Sequence, residues 1–376
     1  MPRNDLSVAA WTSLCEQERR DYVSMFRRPT AIDLFSGCGG LTTGLKQAGF
    51  RVVAAIDSDD VSARTFRRNH RKCKVINKDI TKVSPNELMS SLGLKQGELD
   101  LLAGCPPCQG FSALRNKNRR IYHHPLNKLV HEFDKFVSTF RPRAIMLENV
   151  PPLAAYGRFQ KLVQFLTCEG YAVDHKVFDA VDFMVPQRRR RLILIAYRGD
   201  NPVEFCRPRG RVRTVRDAIG GLRLPDPSQP QDPAHDYKVD RSWSVRSRIQ
   251  ATPQDGGSRS DLGDGNQLEC HRRMKGFKDV YGRIAWDKAA PTLTTGCINP
   301  SKGRFLHPSQ HRAITVREAA LLQSFPPSYW FDMEAGHYSA ARLIGNAFPP
   351  RFAAAHARKI RLRLRDDGHL DIRRET

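Results

Sequence analysis

The sequence contains no long hydrophobic run, and this absence limits where the protein can work. None of its 376 residues lie in a stretch that approaches the roughly 18 consecutive apolar residues of a transmembrane helix. The polar segment 1–22 also lacks the apolar core of a signal peptide. We therefore predict a cytoplasmic protein that has no membrane partner.

Paired cysteines are also scarce. The nine cysteines are odd in number and scattered, which is not typical of a disulfide framework. Only Cys105 and Cys108 have C-x-x-C spacing, and no second pair of ligands completes a zinc site. We predict no metal site, and a redox dithiol stays open as an alternative for this pair.

Acidic residues are few compared with basic ones. The chain has 62 Lys and Arg against 39 Asp and Glu, a formal net charge of +23. Segment 188–216 alone holds ten arginines and two acids, and segment 115–128 holds five basic residues and no acid. This surplus predicts a polyanionic partner, most simply nucleic acid, although a generally basic proteome would also produce it.

The hydrophobic pattern predicts an α/β fold. Hydrophobic residues make up 40% of the chain, enough for a core and too many for a wholly disordered protein. Apolar runs of strand length alternate with helical segments as far as residue 200, which indicates a Rossmann-like, mostly parallel sheet. We expect one of these helices at 41–48, ended by Gly49. The predicted strands are 31–35, 51–56, 74–76, 99–103, 144–147 and 191–197.

The composition changes near residue 200, where Pro, Gly, Asp and Arg become dominant and periodic elements disappear until a helix at 315–323. We predict a second, smaller and irregular domain there. A last helix, from about 350 to 365, is expected to return to the first domain. The predicted divisions are a helical lead-in at 1–28, a catalytic and cofactor-binding domain at 29–200, the second domain at 201–335, and the returning segment at 336–376.

The loop Phe35–Gly40 follows the first predicted strand, where a doubly wound sheet binds its ligand. Asp57 ends the second strand, where a carboxylate can accept hydrogen bonds from ribose hydroxyls. The glycine spacing is not G-x-G-x-x-G, which disfavours a dinucleotide oxidoreductase and leaves other adenosine cofactors open. An ordinary strand-to-helix turn is the alternative for the loop alone.

Cys108 follows another apolar run, directly after two prolines that restrict the backbone. The basic residues that come after it would favour a thiolate, so we interpret Cys108 as a nucleophile. A lone cysteine is otherwise more often a buried apolar residue.

Six short motifs stand in a recognisable order along the chain. They are Phe35–Gly40, Pro107-Cys108-Gln109, Glu148-Asn149-Val150, Gln187-x-Arg189-x-Arg191, Arg317-Glu318 with Gln323-x-Phe325-Pro326, and Gly345-Asn346. With this set the chain resembles the C5-specific DNA cytosine methyltransferases of the prokaryotic restriction-modification type. The resemblance leaves out about 200–290, and it departs from the family pattern at Cys105 and Ala347-Phe348.

The resemblance implies a catalytic role for four residues. Cys108 would add to C6 of cytosine, and Glu148 would hydrogen-bond the ring nitrogen and amino group of the base. Arg189 and Arg191 match the two motif arginines, with Arg191 holding the base and orienting the acid. The alternative is that both arginines bind phosphates. Asn149 is expected to support the loops.

The resemblance also implies that S-adenosylmethionine is the methyl donor. The residues expected to bind it are Phe35, Gly37, Gly39, Gly40, Leu41, Asp57, Asp79, Ile80 and Asn346. The target base must leave the stacked duplex, and segment 110–129 would close over it. The residues expected to contact DNA are Ser112, Arg115, Gln187 and Arg188.

Region 201–335 would be the target-recognition domain, in which Arg317 and Glu318 are expected to be structural. The expected partner is double-stranded DNA, bound by a monomer in the nucleoid. A cognate restriction endonuclease that cuts the same DNA sequence is expected as a partner without a stable complex, and the alternative is a solitary methyltransferase that has no partner nuclease. Two alternatives stay open: a transfer RNA cytosine methyltransferase of the same family, and a catalytically silent DNA-binding protein.

Overall fold

The computed structural model describes residues 27–107, 129–208, 210–262 and 279–370. Most of the lead-in predicted at 1–28 therefore lies outside the described residues. Within these ranges no helix combines the length and apolarity needed to cross a membrane. In the same ranges no cluster of three His, Cys, Asp or Glu side chains is placed to hold a metal ion.

A seven-stranded sheet forms the centre of the fold. Its strand order is β3-β2-β1-β4-β5-β7-β6. The first five strands in this order are parallel, and β7 runs antiparallel to both β5 and β6. The strands are β1 (Thr30–Leu34), β2 (Arg51–Ile56), β3 (Lys74–Ile76), β4 (Leu101–Gly104), β5 (Ala144–Asn149), β6 (Tyr171–Asp179) and β7 (Arg190–Arg198).

Helices connect the strands and continue beyond the sheet. Up to residue 168 they are α1 (Gly40–Gln47), α2 (Asp60–Asn69), α3 (Pro85–Ser91), α4 (Leu129–Phe140) and α5 (Gly157–Cys168). After the sheet they are α6 (Val215–Ile219), α7 (Trp243–Ala251), α8 (Val316–Leu322), α9 (His337–Asn346) and α10 (Pro350–Asp366). Short 3₁₀ turns occur at Ile80–Lys82, Pro151–Ala155, Ala180–Phe183, Arg259–Asp261 and Pro300–Lys302.

The sheet is covered on both faces because its strand residues alternate between two cores. In β4, Leu101 and Ala103 belong to the core that includes α1 and α10, whereas Leu102 belongs to the core that includes α4 and α5. The two helices on the first face are very close: a Cβ placed on Gly44 of α1 would lie 2.5 Å from Cβ of Ala353 of α10. Glycine at position 44 therefore lets α10 pack closely against α1 on this face of the sheet.

The predicted fold class is confirmed. All six predicted strands are present, and Gly49 follows α1 with φ +91°, the left-handed conformation expected after a helix end. Strand β6 was not predicted, and most of its residues are only partly buried. It forms the edge of the sheet, where the apolar pattern of a strand is weakest.

A third core lies beyond the sheet and includes residues of α6, α8 and α9. The prediction placed the end of the second domain at residue 335. Ala340 and Ile344 of α9 are buried in this third core, together with Ala319 of α8. Residues of α10, such as Phe352, belong instead to the core on the α1 face of the sheet.

Candidate active site

An acidic and a basic side chain meet at the carboxyl end of β5. Glu148 lies in β5, and Arg191 lies near the start of the antiparallel strand β7. The Nε atom of Arg191 is 2.8 Å from Oε1 of Glu148, with only 14% and 9% of the two side chains exposed. The shielded pair fixes the direction of the carboxylate, since a guanidinium is a rigid donor.

The segment that leads to Cys108 is attached to the same place. The amide of Asn149 donates to the carbonyl of Pro106 at 2.9 Å, and the backbone N–H of Cys105 donates to Leu34 at 3.2 Å. This agrees with the supporting role expected of Asn149. Cys108 itself lies outside the described residues, as do Ser112 and Arg115.

Cys105 is adjacent to the acid. Burial raises the pKa of its thiol well above the usual range, and the negative charge of Glu148 raises it further. Cys105 is therefore a neutral thiol that hydrogen-bonds Glu148. A neutral thiol is not a nucleophile, so within the pair with C-x-x-C spacing this leaves Cys108 as the candidate.

The cofactor loop is attached to the end of β2. Gly37 and Gly39 have φ of +52° and +93°, which favour glycine. The N–H of Gly37 donates to Oδ2 of Asp57 at 2.7 Å, and the N–H of Asp59 donates to Oδ1 at 2.9 Å. Burial raises the pKa of Asp57. Each carboxylate oxygen keeps a free lone pair, so ribose hydroxyls can still donate to Asp57.

The loop borders open space on one side. A Cβ placed on Gly37 would meet no atom within 4 Å. Phe35 is a non-glycine residue with φ +60°, a strained conformation that presents this turn at the strand end. The glycines, the open space and the fixed carboxylate of Asp57 fit an adenosine cofactor.

The other predicted cofactor residues are distributed around this loop. Asp79 caps the turn after β3 and accepts from the N–H of Thr81 at 2.9 Å, while Ile80 is buried. Leu41 is 3% exposed and belongs to the core, so only its backbone can reach a ligand. Asn346 is exposed. Two residues later, the carbonyl of Phe348 lies so close to Gly40 that a Cβ there would clash with it, which places this segment against the cofactor loop.

Arg189 lies in the interior, 3% exposed, between two parts of the chain. Its guanidinium donates to the carbonyl of Leu293 at 3.0 Å and to that of Gly345 at 2.8 Å. Burial lowers the pKa of Arg189 to about 9. In this structure the side chain joins Leu293 to α9 and is shielded from solvent.

Gln187 is fully buried as well, so the prediction that it contacts DNA does not agree with its position. Its carbonyl oxygen accepts from the N–H of Leu293 at 2.9 Å, and its amide donates to Gln323. Gln323 in turn donates to the carbonyls of Ile344 and Ala347. Arg188 is exposed, as its predicted DNA contact requires.

Two motif residues of α8 are structural, as expected. Glu318 is 1% exposed, caps its own helix with Thr315 and receives two hydrogen bonds from Arg312. Arg317 pairs with Asp232 and donates to the carbonyl of Tyr329 at 2.8 Å.

Three features of the site were missed from the sequence. One is Asp33, which is buried beneath the cofactor loop and accepts from the hydroxyl of Thr42 at 2.6 Å. Another is Tyr329, whose hydroxyl donates to the carbonyl of Cys38 while His70 lies 3.0 Å from the same hydroxyl. The third is segment 290–295, whose backbone hydrogen-bonds the side chains of Gln187 and Arg189. In the sequence this segment is marked only by a proline and three threonines among apolar residues.

Comparison with known proteins decides the family. The family model described as C-5 cytosine-specific DNA methylase matches residues 30–362. The chain belongs to this family. It is therefore a DNA (cytosine-5) methyltransferase that uses S-adenosylmethionine, and DNA is its substrate.

Two of the sequence relatives are bacterial type II enzymes. The type II methylase M.HgiDII of Herpetosiphon aurantiacus is 36% identical over 340 residues, which cover 88% of this chain and 94% of the relative. The type II methyltransferase M.XorII of Xanthomonas oryzae pv. oryzae is 34% identical, covering 90% and 86%. A DNA modification methyltransferase encoded within an E. coli prophage has the same fold, with a TM-score of 0.66, 23% identity, and coverage of 90% and 99%.

Proposed function

We propose that this methyltransferase modifies one cytosine within a specific sequence of double-stranded DNA, with Cys108 as the nucleophile. The observation that carries the proposal is the Glu148–Arg191 pair, because it holds an oriented carboxylate next to the segment that ends at Cys108. That carboxylate can hydrogen-bond the Watson–Crick edge of a base taken out of the stack.

The residues divide the chemistry as follows. The Cys108 thiolate adds to C6 of cytosine as N3 takes up a proton, and the Glu148 carboxylate accepts hydrogen bonds from N3–H and the amino group of the adduct. Bound S-adenosylmethionine would supply the methyl group that C5 accepts and leave as S-adenosylhomocysteine. The C5 and N3 protons are then lost to solvent, which expels the Cys108 thiolate and restores the aromatic ring. Arg191 keeps Glu148 pointed at the base throughout.

The methyl donor would be held at the carboxyl ends of β1, β2 and β3. The backbone of Gly37, Gly39 and Gly40 would lie against it, Asp57 would accept from its ribose, and Asp79 and Ile80 would contact its adenine. Phe35, Leu41 and Asn346 complete the proposed pocket. Ser112, Arg115 and Arg188 are proposed to contact the DNA backbone near the flipped base.

Labelled S-adenosylmethionine tests the substrate class. We expect label in duplex DNA and none in transfer RNA, and label in RNA alone would sink the proposal. Cys108→Ser should abolish transfer while DNA binding is kept. Cys105→Ser is the matched control, and it should retain transfer because Cys105 is a neutral thiol. Loss of transfer in Cys105→Ser only would mean that Cys108 is not the nucleophile.

We also propose that the enzyme is a monomer on DNA and the modification partner of a restriction endonuclease. The support is that the relatives M.HgiDII and M.XorII are type II enzymes. DNA that the enzyme has modified should then resist a type II endonuclease that cuts the same sequence. Sedimentation on a duplex with one target site should show a single protein chain.

A further inference from the structure

A basic groove lies on the outer side of α2. Four arginines and one tryptophan line it, and its volume is about 630 Å³. The groove residues are Arg64, Arg67, Arg68, Arg71 and Trp330, and we refer to them as the α2 groove.

The arginines share one face of the helix. Arg64, Arg67 and Arg68 are spaced i, i+3 and i+4, and Arg71 follows just past the helix end, so all four point the same way. Arg64 pairs with Asp332, its Nε 2.6 Å from the carboxylate. Among the described residues no acid pairs with Arg67, Arg68 or Arg71, and all three are exposed. Three guanidinium groups without an acidic partner among the described residues therefore face the groove.

Trp330 is fixed in this position by its backbone. Its N–H donates to the side chain of Asn69 at 3.0 Å, and its carbonyl accepts from the same side chain at 2.8 Å. The Arg68 guanidinium lies over the indole ring, 6.0 Å from the centroid. This cation–π contact orients Arg68, so the groove is at least partly preorganised.

The groove is remote from Glu148. Helix α2 begins at Asp60, near the carboxyl end of β2, and its ten residues carry the chain about 15 Å away from that edge. Strand β5, which holds Glu148, is three strand spacings from β2, roughly 14 Å across the sheet. The groove therefore shares no side chain with the site around Glu148.

We propose that the α2 groove is a second binding surface for the phosphate backbone of duplex DNA, separate from the site of methyl transfer. The charge of the lining carries this choice: four arginines and no acid line the groove, and the phosphate backbone of DNA is an anion that this enzyme must already bind. Arg64 to Arg71 spans about 10 Å along the direction of α2, close to three base-pair steps of a duplex at about 3.4 Å each. The ring of Trp330 is shared with Arg68, which favours backbone contacts over stacking of single-stranded bases.

The surface would serve the enzyme by holding it on DNA outside its target sequence. Phosphate contacts carry no sequence information, but they supply nonspecific affinity and make it depend on salt. A second contact would also let one protein hold two DNA segments at once.

The test counts the duplexes bound by the full chain. With a 14-base-pair duplex at about 50 mM salt, native mass spectrometry should show two duplexes on the wild-type protein. The variant R67Q/R68Q/R71Q should bind one duplex, because its affinity for a second duplex should be at least tenfold lower than that of the wild type. The matched control R51Q/K95Q/K176Q removes three exposed charges from separate elements and should still bind two. Only one duplex on the wild type, or an unchanged second event in R67Q/R68Q/R71Q, would overturn the proposal.

Two further probes identify the ligand. A single-stranded 14-mer and a polyglutamate peptide should each compete for the second event at least tenfold more weakly than duplex DNA. If the single-stranded 14-mer competed as strongly as duplex DNA or more strongly, the groove would be a site for single strands. If the polyglutamate peptide did so, the groove would be a site for an acidic protein. Either result overturns the proposal. Methyl transfer by R67Q/R68Q/R71Q to a short target duplex should equal that of the wild type. The main measurement is DNA binding, which does not depend on the role of Cys108. The proposal for the α2 groove can therefore be supported or overturned whether or not Cys108 is the nucleophile.

Discussion

Arg191 and Glu148 are joined side chain to side chain across two antiparallel strands, with Nε 2.8 Å from Oε1. The pair is largely shielded from water, so the carboxylate cannot turn freely towards solvent. Because Asn149 comes directly after Glu148 and holds Pro106, one short segment of β5 positions both the acid and the approach to Cys108.

Replacing Glu148 by Gln should slow methyl transfer by at least about 100-fold, the usual effect of losing a group that handles a proton. The amide has the same shape but carries no charge to stabilise the protonated N3 of the adduct. Single-turnover transfer measures the rate, and the Kd for S-adenosylmethionine should not change. Glu132→Gln, which alters an exposed i,i+3 pair with Lys135, is the control. A wild-type rate in Glu148→Gln would contradict the assigned role.

Replacing Tyr329 by Phe should weaken binding of S-adenosylmethionine roughly 3- to 10-fold, the value of one lost hydrogen bond. The hydroxyl supports the Cys38 carbonyl within the cofactor loop. A Cβ on Gly39 would lie 2.6 Å from the same hydroxyl, which shows how closely Tyr329 packs against the loop. Calorimetry gives the Kd, and Tyr338→Phe, at a side chain 45% exposed, should leave it unchanged. Equal losses in both variants would rule out a specific support.

Asp33 should make stability depend on pH. Burial raises its pKa from 3.8 to about 7. Between these values the unfolded chain releases the proton while the folded chain retains it, so the free energy of unfolding falls as pH rises and levels off above about 7. Between pH 5 and pH 8, the free energy of unfolding measured with urea should fall by roughly 2 to 3 kcal/mol more in the wild type than in Asp33→Asn. Identical pH dependence in the two proteins would refute a protonated Asp33.

Replacing Gln323 by Ala should destabilise the protein by about 2 to 4 kcal/mol, because several buried groups lose partners. The side chain joins Gln187 to the carbonyls of Ile344 and Ala347. Urea unfolding measures the effect, and Gln229→Ala at an exposed position should have almost none. If both variants were equally stable, the network would not be a support of the fold.

The arginine segment shows what the sequence can predict and where it stops. Strand periodicity places alternate residues on opposite faces, and the structure has Arg188 and Arg190 exposed with Arg189 buried. The pattern cannot say that Arg189 donates to Gly345, which is 156 residues away. Gln187 is a similar case, since its partner Gln323 is 136 residues distant. Long-range partners decide whether a polar side chain faces DNA or the interior.

The fold was more predictable than the site. The parallel strands could be recognised in the sequence because both faces of a central strand are buried, which produces continuous apolar runs such as that of β4. The edge strand β6 was not, because most of its residues are only partly buried and its apolar pattern is weak. The α2 groove was also missed, since Trp330 is 262 residues from Arg68 and is held beside it by hydrogen bonds to Asn69.

The most direct test of the account is the identity of the methylated nucleoside. Plasmid DNA treated with the enzyme and S-adenosylmethionine is digested to nucleosides and analysed by mass spectrometry, and a second sample is mapped by bisulfite sequencing. The account predicts 5-methyldeoxycytidine at a fixed position in one recurring sequence, and none with Cys108→Ser. Methylation at an exocyclic nitrogen, or 5-methyldeoxycytidine formed equally well by Cys108→Ser, would contradict it.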